Sequence, residues 1–389
     1  MKTYDVIVIG GGVIGAASAF FSGRTGLKTV LLEKRPALGT LTTSASLAAF
    51  RAQFGEAENI AMMLESIAFF ENIRERTGLP DADIQLAQQG YLFVTTAAEG
   101  YETARRRVEL QRSLGLHDVE LWNGEEARRH FPFLSPEVTA ASFRARDGWL
   151  SPHELTYCYA RGSGAEIHLE TSVEALLVEG NRVYGVQSSL GEIHAPRVVV
   201  AAGPFAQNLL RPLGIHLPID LVRRQRAAVK AHPLIPHHAP MTIDSDTGAH
   251  WRPDGQGAVL AWALPEAPGE PREEVLPDWD FPAVVLDGVA RIAPFWAEVG
   301  EHLHRTDLDV RAGQYDMTPD AKPIIGPHPE WQGLYLNCGY SGHGVMASAG
   351  GGRILGDLLA GRQNPTDNPF RLVRFAENVG KPVSEKMVL

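Results

Sequence analysis

Four residues near the start of the chain have the types and spacing needed to bind a dinucleotide. Gly10, Gly12 and Gly15 follow the spacing G-x-G-x-x-G. The first such glycine permits a tight turn, the second lets a pyrophosphate approach the backbone, and the third lets a following helix pack close to a sheet. Glu33 stands at the distance where an acid binds a ribose hydroxyl. The predicted chemistry is recognition of phosphates and ribose.

The segments around these glycines predict the elements that position them. Residues 5–9 form a β-branched run typical of a strand buried on both faces, and residues 13–21 are small and apolar, as in a closely packed helix. Residues 28–32 predict a second strand that ends at Glu33. The helix N-terminus would offer N–H groups and the positive end of its dipole to phosphates. This complete pattern favours a dinucleotide site over a glycine-rich turn in some other α/β unit.

Length and composition bound the possible functions. The chain has 389 residues, enough for two domains with filled cores, and its apolar content of 44% is that of a globular protein. The net charge of −10 argues against nucleic-acid binding. We expect no signal peptide and no transmembrane segment, because no apolar stretch has the required length. Two distant cysteines, Cys158 and Cys338, suit a reducing cytoplasm, the expected location.

Later segments predict further elements of the same unit. Residues 59–77 have apolar residues at helical spacing. Residues 197–201 predict a buried strand that leads into Ala202 and Gly203, with room for a nucleotide at its carboxyl end. Residues 333–344 predict a strand and a small-residue turn, and a helix follows.

Residues 219–315 have a different character and predict longer antiparallel strands. Asp254 and Gly255 mark a tight hairpin turn between two of them. Trp279 and Trp296 are expected to pack a helix on this sheet.

Two polar clusters in this region are interpreted as structural. Arg223, Arg224 and Arg226 favour the solvated face of a strand. Residues 232–240 carry three histidines, but their prolines and irregular spacing favour an exposed loop over a metal site. The sequence therefore predicts no metal.

Segments spread over nearly the whole chain resemble the D-amino-acid oxidase family of flavoproteins. They are "DVIVIGGGVIGAASAF", "LLEK", "FRAQFGEAENI", "GYLFV", "VVVAAGPFA", "YDMTPDAKPIIG" and "GYSGHGVM". The resemblance is closest to the branch of glycine oxidase, sarcosine oxidase and proline-type dehydrogenase β-subunits. It implies a mixed α/β (α+β) fold with two domains. A discontinuous Rossmann-like FAD-binding domain would comprise 1–85, 145–218 and 315–389, and a mixed antiparallel sheet in 86–144 and 219–314 would form the substrate domain.

The resemblance also implies which residues contact FAD. By position these are Gly10, Gly12, Val13, Ile14, Gly15, Glu33, Lys34, Thr43, Ser44, Val173, Ala202, Gly203, Gly342, His343, Gly344, Val345 and Met346. Val173 would contact the adenine end through its backbone, and the turn from Gly342 to Gly344 would meet the isoalloxazine ring.

Four residues are the catalytic candidates. Arg51 lies in an Arg-x-x-aromatic-Gly stretch like that in which sarcosine oxidases carry the arginine that binds the substrate carboxylate. A guanidinium suits this role because it binds a carboxylate bidentately and keeps its proton. The alternative is a surface arginine paired with a nearby glutamate. Tyr315 and His250 are candidate cavity residues, and His343 would either bond the flavin or be structural.

Three departures from the sarcosine oxidase pattern matter. Gly313 stands where those enzymes anchor FAD through a cysteine, which predicts non-covalent FAD. Met346 and Leu260 stand where, or near where, those enzymes carry lysines that bind the carboxylate and activate oxygen. Without a cation beside the flavin a dehydrogenase becomes plausible, since positive charge favours transfer of the first electron to oxygen.

The predicted function is oxidation of the C–N bond of a glycine-, sarcosine- or proline-like amino acid by hydride transfer to flavin N5. Two alternatives remain open: a 2-hydroxy-acid dehydrogenase, and a non-catalytic FAD-binding subunit. The expected partners are an amino-carboxylate substrate and oxygen or another electron acceptor. The sequence leaves both a homo-oligomer and a hetero-complex open.

Overall fold

The computed structural model describes residues 3–377. In chain order the strands are β1 Val6–Ile9, β2 Thr29–Leu32, β3 Ala49–Phe50, β4 Tyr91–Thr95, β5 Glu120–Asn123, β6 Ala140–Arg144, β7 Gly148–Trp149, β8 Glu166–His168, β9 Val173–Glu179, β10 Arg182–Ser188, β11 Gly191–His194, β12 Val198–Val200, β13 Asp220–Val229, β14 Met241–Asp244, β15 His250–Asp254, β16 Gly257–Ala261, β17 Leu308–Met317, β18 Ile324–Pro327 and β19 Leu334–Cys338. The α-helices are α1 Val13–Arg24, α2 Thr42–Ala45, α3 Ala57–Glu71, α4 Ile73–Thr77, α5 Gly100–Ser113, α6 Gly124–His130, α7 Pro152–Gly162, α8 Ala206–Leu210, α9 Phe281–Ala290, α10 Phe295–His302, α11 Gly344–Leu359 and α12 Arg374–Glu377. The first and last predicted FAD-binding segments also include residues 1–2 and 378–389, which lie outside the described residues.

The first sheet is built around β1. Its strand order is β18-β19-β12-β1-β2-β8, and β1 pairs in parallel with β12 and β2. Val6, Ile7 and Val8 are fully buried, as expected for a strand covered on both faces. One face packs against α1, α3, α7 and α11, and the other against β9, β10 and α8. This arrangement confirms the predicted Rossmann-like unit.

The helix predicted over residues 59–77 is divided in two. The backbone leaves the helical region at Asn72 (φ −117°, ψ 31°), between α3 and α4. The Asn72 side-chain amide donates to the Ala68 carbonyl at 2.9 Å. Short polar side chains compete with helix hydrogen bonds in this way, and the apolar spacing alone does not reveal the break.

The second sheet contains eight strands in the order β17-β13-β16-β15-β14-β4-β6-β5. Its neighbours run antiparallel except β14 and β4, which are parallel. Asp254 pairs with Gly257 across the predicted hairpin, and Gly255 adopts φ +59° in its turn. This is the mixed antiparallel sheet that the sequence predicts.

The two sheets follow the predicted segments closely. All six strands of the first sheet lie within 1–85, 145–218 and 315–389, and seven strands of the second lie within 86–144 and 219–314. The eighth, β17, crosses the boundary at residue 315. We therefore keep the division into two domains as a proposal, with β17 shared between them.

Two of the three arginines on β13 face the interior of the molecule. Strand register through β16 puts Arg226 on the same face of the sheet as His250. Arg224, two residues away, shares that face, whereas Arg223 forms an ion pair with Glu266 at 2.8 Å. The predicted solvated face is therefore wrong for Arg224 and Arg226. The physical reason is that α2 of the first unit covers this face instead of water.

The opposite face of the second sheet packs against α9 and α10. Trp251, Leu260 and Trp296 are fully buried in that core. The Trp251 and Trp296 rings meet edge to face with centroids 5.4 Å apart. The expectation for Trp296 is confirmed, but that for Trp279 is wrong: its side chain is 43% exposed, with the Arg305 guanidinium 4.1 Å from its ring centroid.

Two kinds of feature are absent from residues 3–377. No helix there combines the length and the apolar character needed to cross a membrane. Nor does that stretch bring three His, Cys, Asp or Glu side chains together in a way that could hold a metal ion.

Trp279 and Trp296 give a matched pair of stability variants. We expect Trp296→Ala to lower the free energy of unfolding by about 3–5 kcal/mol, because it leaves a cavity in a closed core. Trp279→Ala should cost less than about 1 kcal/mol, since a surface ring with one cation contact is lost. Chemical denaturation of the FAD-bound protein measures both. Equal losses would contradict the assignment of the core.

Candidate active site

A cleft of about 400 Å³ opens at the carboxyl ends of β1, β2 and β12. In open α/β sheets this edge is where ligands bind. The predicted cofactor residues that line it are Gly10, Gly12, Val13, Ile14, Glu33, Lys34, Thr43, Val173, Ala202, Gly203, Gly342, Gly344 and Val345. Tyr315 lines it as well. The structure thus brings together residues from five distant parts of the chain.

The glycine turn before α1 is set by close backbone contacts. A Cβ on Gly10, whose φ is +108°, would lie 2.5 Å from the Ala201 carbonyl oxygen. A Cβ on Gly15 would lie 1.8 Å from the Gly10 carbonyl oxygen. Gly15 therefore packs α1 onto the end of β1 and is not itself part of the cleft wall. Gly12 has no side chain to cap α1, and the Val13 N–H at the helix start donates to the Thr43 hydroxyl at 3.1 Å; all three residues line the cleft.

The Glu33 carboxylate is fixed at the end of β2 by two backbone N–H groups. The Gly11 N–H donates to Oε2 at 2.5 Å and the Arg35 N–H donates to Oε1 at 2.8 Å. Each oxygen keeps a further lone pair for a hydroxyl group. The carboxylate is thus held in place for the ribose recognition predicted from the sequence.

A second helix start faces the same cleft. His343 precedes α11 without a side-chain cap, and Gly344 and Val345 line the cleft. Gly342 has φ +87°, and a Cβ there would lie 2.3 Å from the Tyr315 ring. Two helix N-termini whose own N-cap residues provide no side-chain cap, and a cradle that excludes Cβ atoms, fit the pyrophosphate and ring system of FAD.

Three predicted cofactor residues besides Gly15 lie outside the cleft lining. The Ser44 hydroxyl donates to the Leu41 carbonyl at 2.9 Å. Met346 is buried in the core beneath α11. The His343 ring lies 5.2 Å from the Phe54 ring, and burial, with the nearby Arg51 charge, lowers the pKa of His343 to about 3. A helix presents only part of its first turn to one side, so not every residue of a contiguous motif lines the cleft, and the contacts of these residues with FAD stay predictions.

A smaller cavity adjoins the cleft on the side of the second sheet. It is lined by Thr42, Ala45, Leu47, Arg224, Gln225, His250, Ala261, Trp262, Ala263, Gly313 and Tyr315. Thr42 and Tyr315 line both spaces, so the two are contiguous. Burial lowers the pKa of His250 to about 4, and its Nδ1 lies 2.7 Å from the Gly248 carbonyl oxygen. The neutral ring donates from Nδ1 and leaves Nε2 as an acceptor.

Arg51 is a buried residue and not the surface arginine of the alternative interpretation. Its side chain is 2% exposed, and its guanidinium lies 3.9 Å from the Phe54 ring centroid and 5.6 Å from that of Phe93. It also donates to the Gln53 carbonyl. It lines neither of the two spaces described above, so its role toward substrate stays a prediction.

One contact at the wall of the cleft is not predicted from the sequence. Glu273, in the segment after β16, forms ion pairs with Lys34 and, at 3.2 Å, with Arg35 beyond β2. Gln314 supports the same segment: its side chain accepts from the Arg272 N–H and donates to the Glu270 carbonyl, each at 2.8 Å. We call residues 266–275 the strap. More than 200 residues separate the paired charges, and no local pattern reveals such a pairing.

Comparison with known proteins gives a consistent result. A family described as FAD dependent oxidoreductase (DAO) matches residues 5–358. Hydrogen cyanide synthase subunit HcnC of Pseudomonas protegens is 28% identical, covering 97% of each chain. Glycine oxidase of Geobacillus kaustophilus is 27% identical over 97% of this chain and 98% of that protein. The crystal structure of L-proline dehydrogenase from P. horikoshii superposes with a TM-score of 0.85 at 26% identity, covering 97% of this chain and 99% of that chain.

We predict that the ion pairs of Glu273 in the strap slow the release of FAD. We expect Glu273→Gln to speed release several-fold, because two exposed ion pairs worth up to about 1 kcal/mol are lost. FAD fluorescence recovered on dilution measures the rate. Added salt should speed release from the original protein and have little effect on the variant. Glu274→Gln, a neighbouring exposed acid, is the matched control, and equal rates for the two variants would contradict the role of the strap.

Proposed function

The chain belongs to the DAO family of FAD-dependent oxidoreductases, and we propose that it oxidises the C–N bond of a small amino acid or N-alkyl amino acid. At the coarser level it is an FAD-dependent amino-acid or amine oxidoreductase. The observation that carries the finer proposal is the cavity with Tyr315 and His250, which is contiguous with the FAD cleft.

We propose that Arg51 binds the substrate carboxylate. Its burial and its contact with aromatic rings favour this role, because a guanidinium removed from water binds a carboxylate more strongly than an exposed one. A carboxylate fixed at one point orients the α C–H, and orientation alone supplies a large part of the rate in such reactions.

The amine must be neutral when its α C–H is oxidised. We infer that His250 orients the amine, because its neutral ring offers Nε2 as a hydrogen-bond acceptor to an amine N–H. When bound, the flavin of FAD supplies the hydride acceptor at N5. The start of α11 directs backbone N–H groups and the positive end of its dipole toward the cleft, where they stabilise negative charge.

FAD is proposed to be non-covalent, as the glycine at position 313 implies. Of the two cysteines, Cys158 is buried in α7 outside the cleft lining, and burial keeps the pKa of Cys338 well above its usual range. A thiol that stays protonated is a poor nucleophile for attachment to the flavin.

The electron acceptor is proposed to be other than oxygen. Leu260 lies in the core on the far face of the second sheet, and Met346 is buried beneath α11. His343 is neutral because burial depresses its pKa. Relatives named as subunits, HcnC and sarcosine oxidase subunit beta of Arthrobacter, support a hetero-complex in which a partner would receive the electrons.

An anaerobic screen of flavin absorbance tests the reaction. Bleaching by glycine, sarcosine or proline supports C–N oxidation. Bleaching only by L-2-hydroxyglutarate or similar acids would replace it with a 2-hydroxy-acid dehydrogenase. An FAD-loaded protein that no amino acid, N-alkyl amino acid or 2-hydroxy acid bleaches would be a binding subunit.

Variants at Arg51 test carboxylate binding. We expect Arg51→Met to lower kcat/KM by roughly 30- to 1,000-fold, equivalent to about 2–4 kcal/mol, with FAD still bound. Methionine keeps apolar contact with Phe54 while removing the charge. Arg51→Lys should lose less activity, since it keeps the charge without the bidentate geometry. Unchanged kinetic constants in both variants would show that the carboxylate binds elsewhere.

The acceptor preference can be tested at Ala261, which follows Leu260 in the sequence and lines the small cavity. We expect a quinone or dye to reoxidise the reduced protein faster than oxygen does. Ala261→Lys should speed the oxygen reaction by adding an ammonium group to the cavity that Arg224 already lines, whereas Ala261→Met, similar in size, should not. Stopped-flow reoxidation measures both. Oxygen reoxidation as fast as substrate reduction in the original protein would identify an oxidase.

A further inference from the structure

The face of the second sheet that is turned toward the FAD cleft carries more positive charge than its own carboxylates balance. Arg252 pairs with Asp254 at 3.0 Å. Arg226 reaches only the Ser44 carbonyl, at 3.5 Å, and Arg224 donates to the carbonyls of Arg223 and Leu264 at 3.0 and 3.2 Å. Within residues 3–377, no carboxylate forms an ion pair with Arg224 or Arg226.

Arg224 differs from the other two because it lines the small cavity beside His250 and Tyr315. Its Nε is buried and has no hydrogen-bond partner among the described residues. Burial lowers the pKa of this guanidinium, but an arginine keeps its charge near neutral pH. A partly buried cation whose buried Nε donor is unused, facing a cavity, is matched chemically by an anion in that cavity.

Arg224 and Arg51 are positioned by different strands of the second sheet. Arg51 lies over Phe93 on β4, and Arg224 is on β13. Three strands, β16, β15 and β14, separate β13 from β4 in the sheet. Four strand spacings amount to about 19 Å between the two strand axes. This separation favours two anion-binding positions over a single shared one.

We propose that Arg224 binds a second carboxylate of the substrate, so that the substrate class is dicarboxylic amino acids with the two carboxylates separated by several bonds. The inference rests on the proposed function, in which Arg51 binds the α-carboxylate. Tyr315, which lines both the cleft and the cavity, would lie between the two ends of such a substrate. Glycine, sarcosine and proline would then be poor substrates because they leave Arg224 unpaired.

The first test compares substrates that differ in one carboxylate. Anaerobic bleaching is titrated with sarcosine, with N-carboxymethyl-, N-(2-carboxyethyl)- and N-(3-carboxypropyl)glycine, and with glutamate beside glutamine. We expect at least a tenfold lower apparent Kd for flavin reduction with the best dicarboxylate than with its neutral analogue. Equal apparent Kd values for charged and neutral members of each pair would overturn the dicarboxylate proposal and leave C–N oxidation intact.

Variants of β13 assign the preference to one side chain. Arg224→Gln should abolish the preference and Arg224→Lys should keep part of it, each with normal FAD content. Arg223→Gln is the matched control, because Arg223 is on the same strand but pairs with Glu266 on the other face. A preference that survives in Arg224→Gln would overturn the assignment.

A binding measurement separates this proposal from the proposed function. Succinate and glutarate cannot be oxidised at an amine, yet they should perturb the flavin spectrum with a Kd at least tenfold lower than that of acetate or butyrate. Arg224→Gln should remove this difference. If Arg224→Gln loses FAD, the same measurement is made on Arg224→Lys, which should keep part of the difference. If no amino acid bleaches the flavin but the dicarboxylates bind through Arg224, the proposed reaction fails and the anion site stands. If dicarboxylates bind no better than monocarboxylates, the anion site fails.

Discussion

Backbone-to-backbone contact at the end of β1 is the constraint on which the cofactor site depends. The Gly10 turn touches the Ala201 carbonyl at the end of β12, and Gly15 in α1 touches the Gly10 carbonyl. Only residues without a Cβ allow both contacts. They bring the start of α1 to the carboxyl edge of the sheet and leave no side chain in the path of a pyrophosphate. A second close approach packs α11 against α1, where Gly352 and Gly356 leave room for Ala17 and Phe21.

The second unit contributes a surface whose two faces have opposite chemistry. Alternation along β13, β15 and β16 sends Trp251 and Leu260 into an aromatic core and sends Arg224 and His250 toward the cleft. Because another unit covers the polar face, its groups are desolvated, which explains the depressed pKa of His250. The strap then ties the two units together through Glu273, whose charge complements the cations that follow β2.

The features that the sequence predicts are local, whereas those that it does not predict depend on contacts between residues far apart in the chain. The glycine spacing after β1 and the acid at Glu33 are local features, so the sequence alone predicts the cleft that Gly10, Gly12 and Glu33 line. The direction in which Arg224 points depends on what covers its strand, and that covering comes from residues near position 42. Alternation identifies the two faces of a strand but not which face meets water. The pairing of Glu273 with Lys34 is equally invisible, since nothing in either segment specifies the other.

The charge inside the site at neutral pH is carried by a few buried groups. His250 and His343 are neutral because burial depresses their pKa values, whereas the guanidinium groups remain charged. Burial raises the pKa of Asp316, which lines the cleft beside Tyr315, to about 6, and the Gly339 N–H donates to its carboxylate at 2.7 Å. A raised carboxyl pKa means that this group favours folding most below its ordinary pKa and loses that contribution as pH rises through about 6. Within the FAD cleft, Asp316 is thus the group whose charge changes just below neutral pH, while recognition of an anionic substrate rests on arginines that do not titrate there.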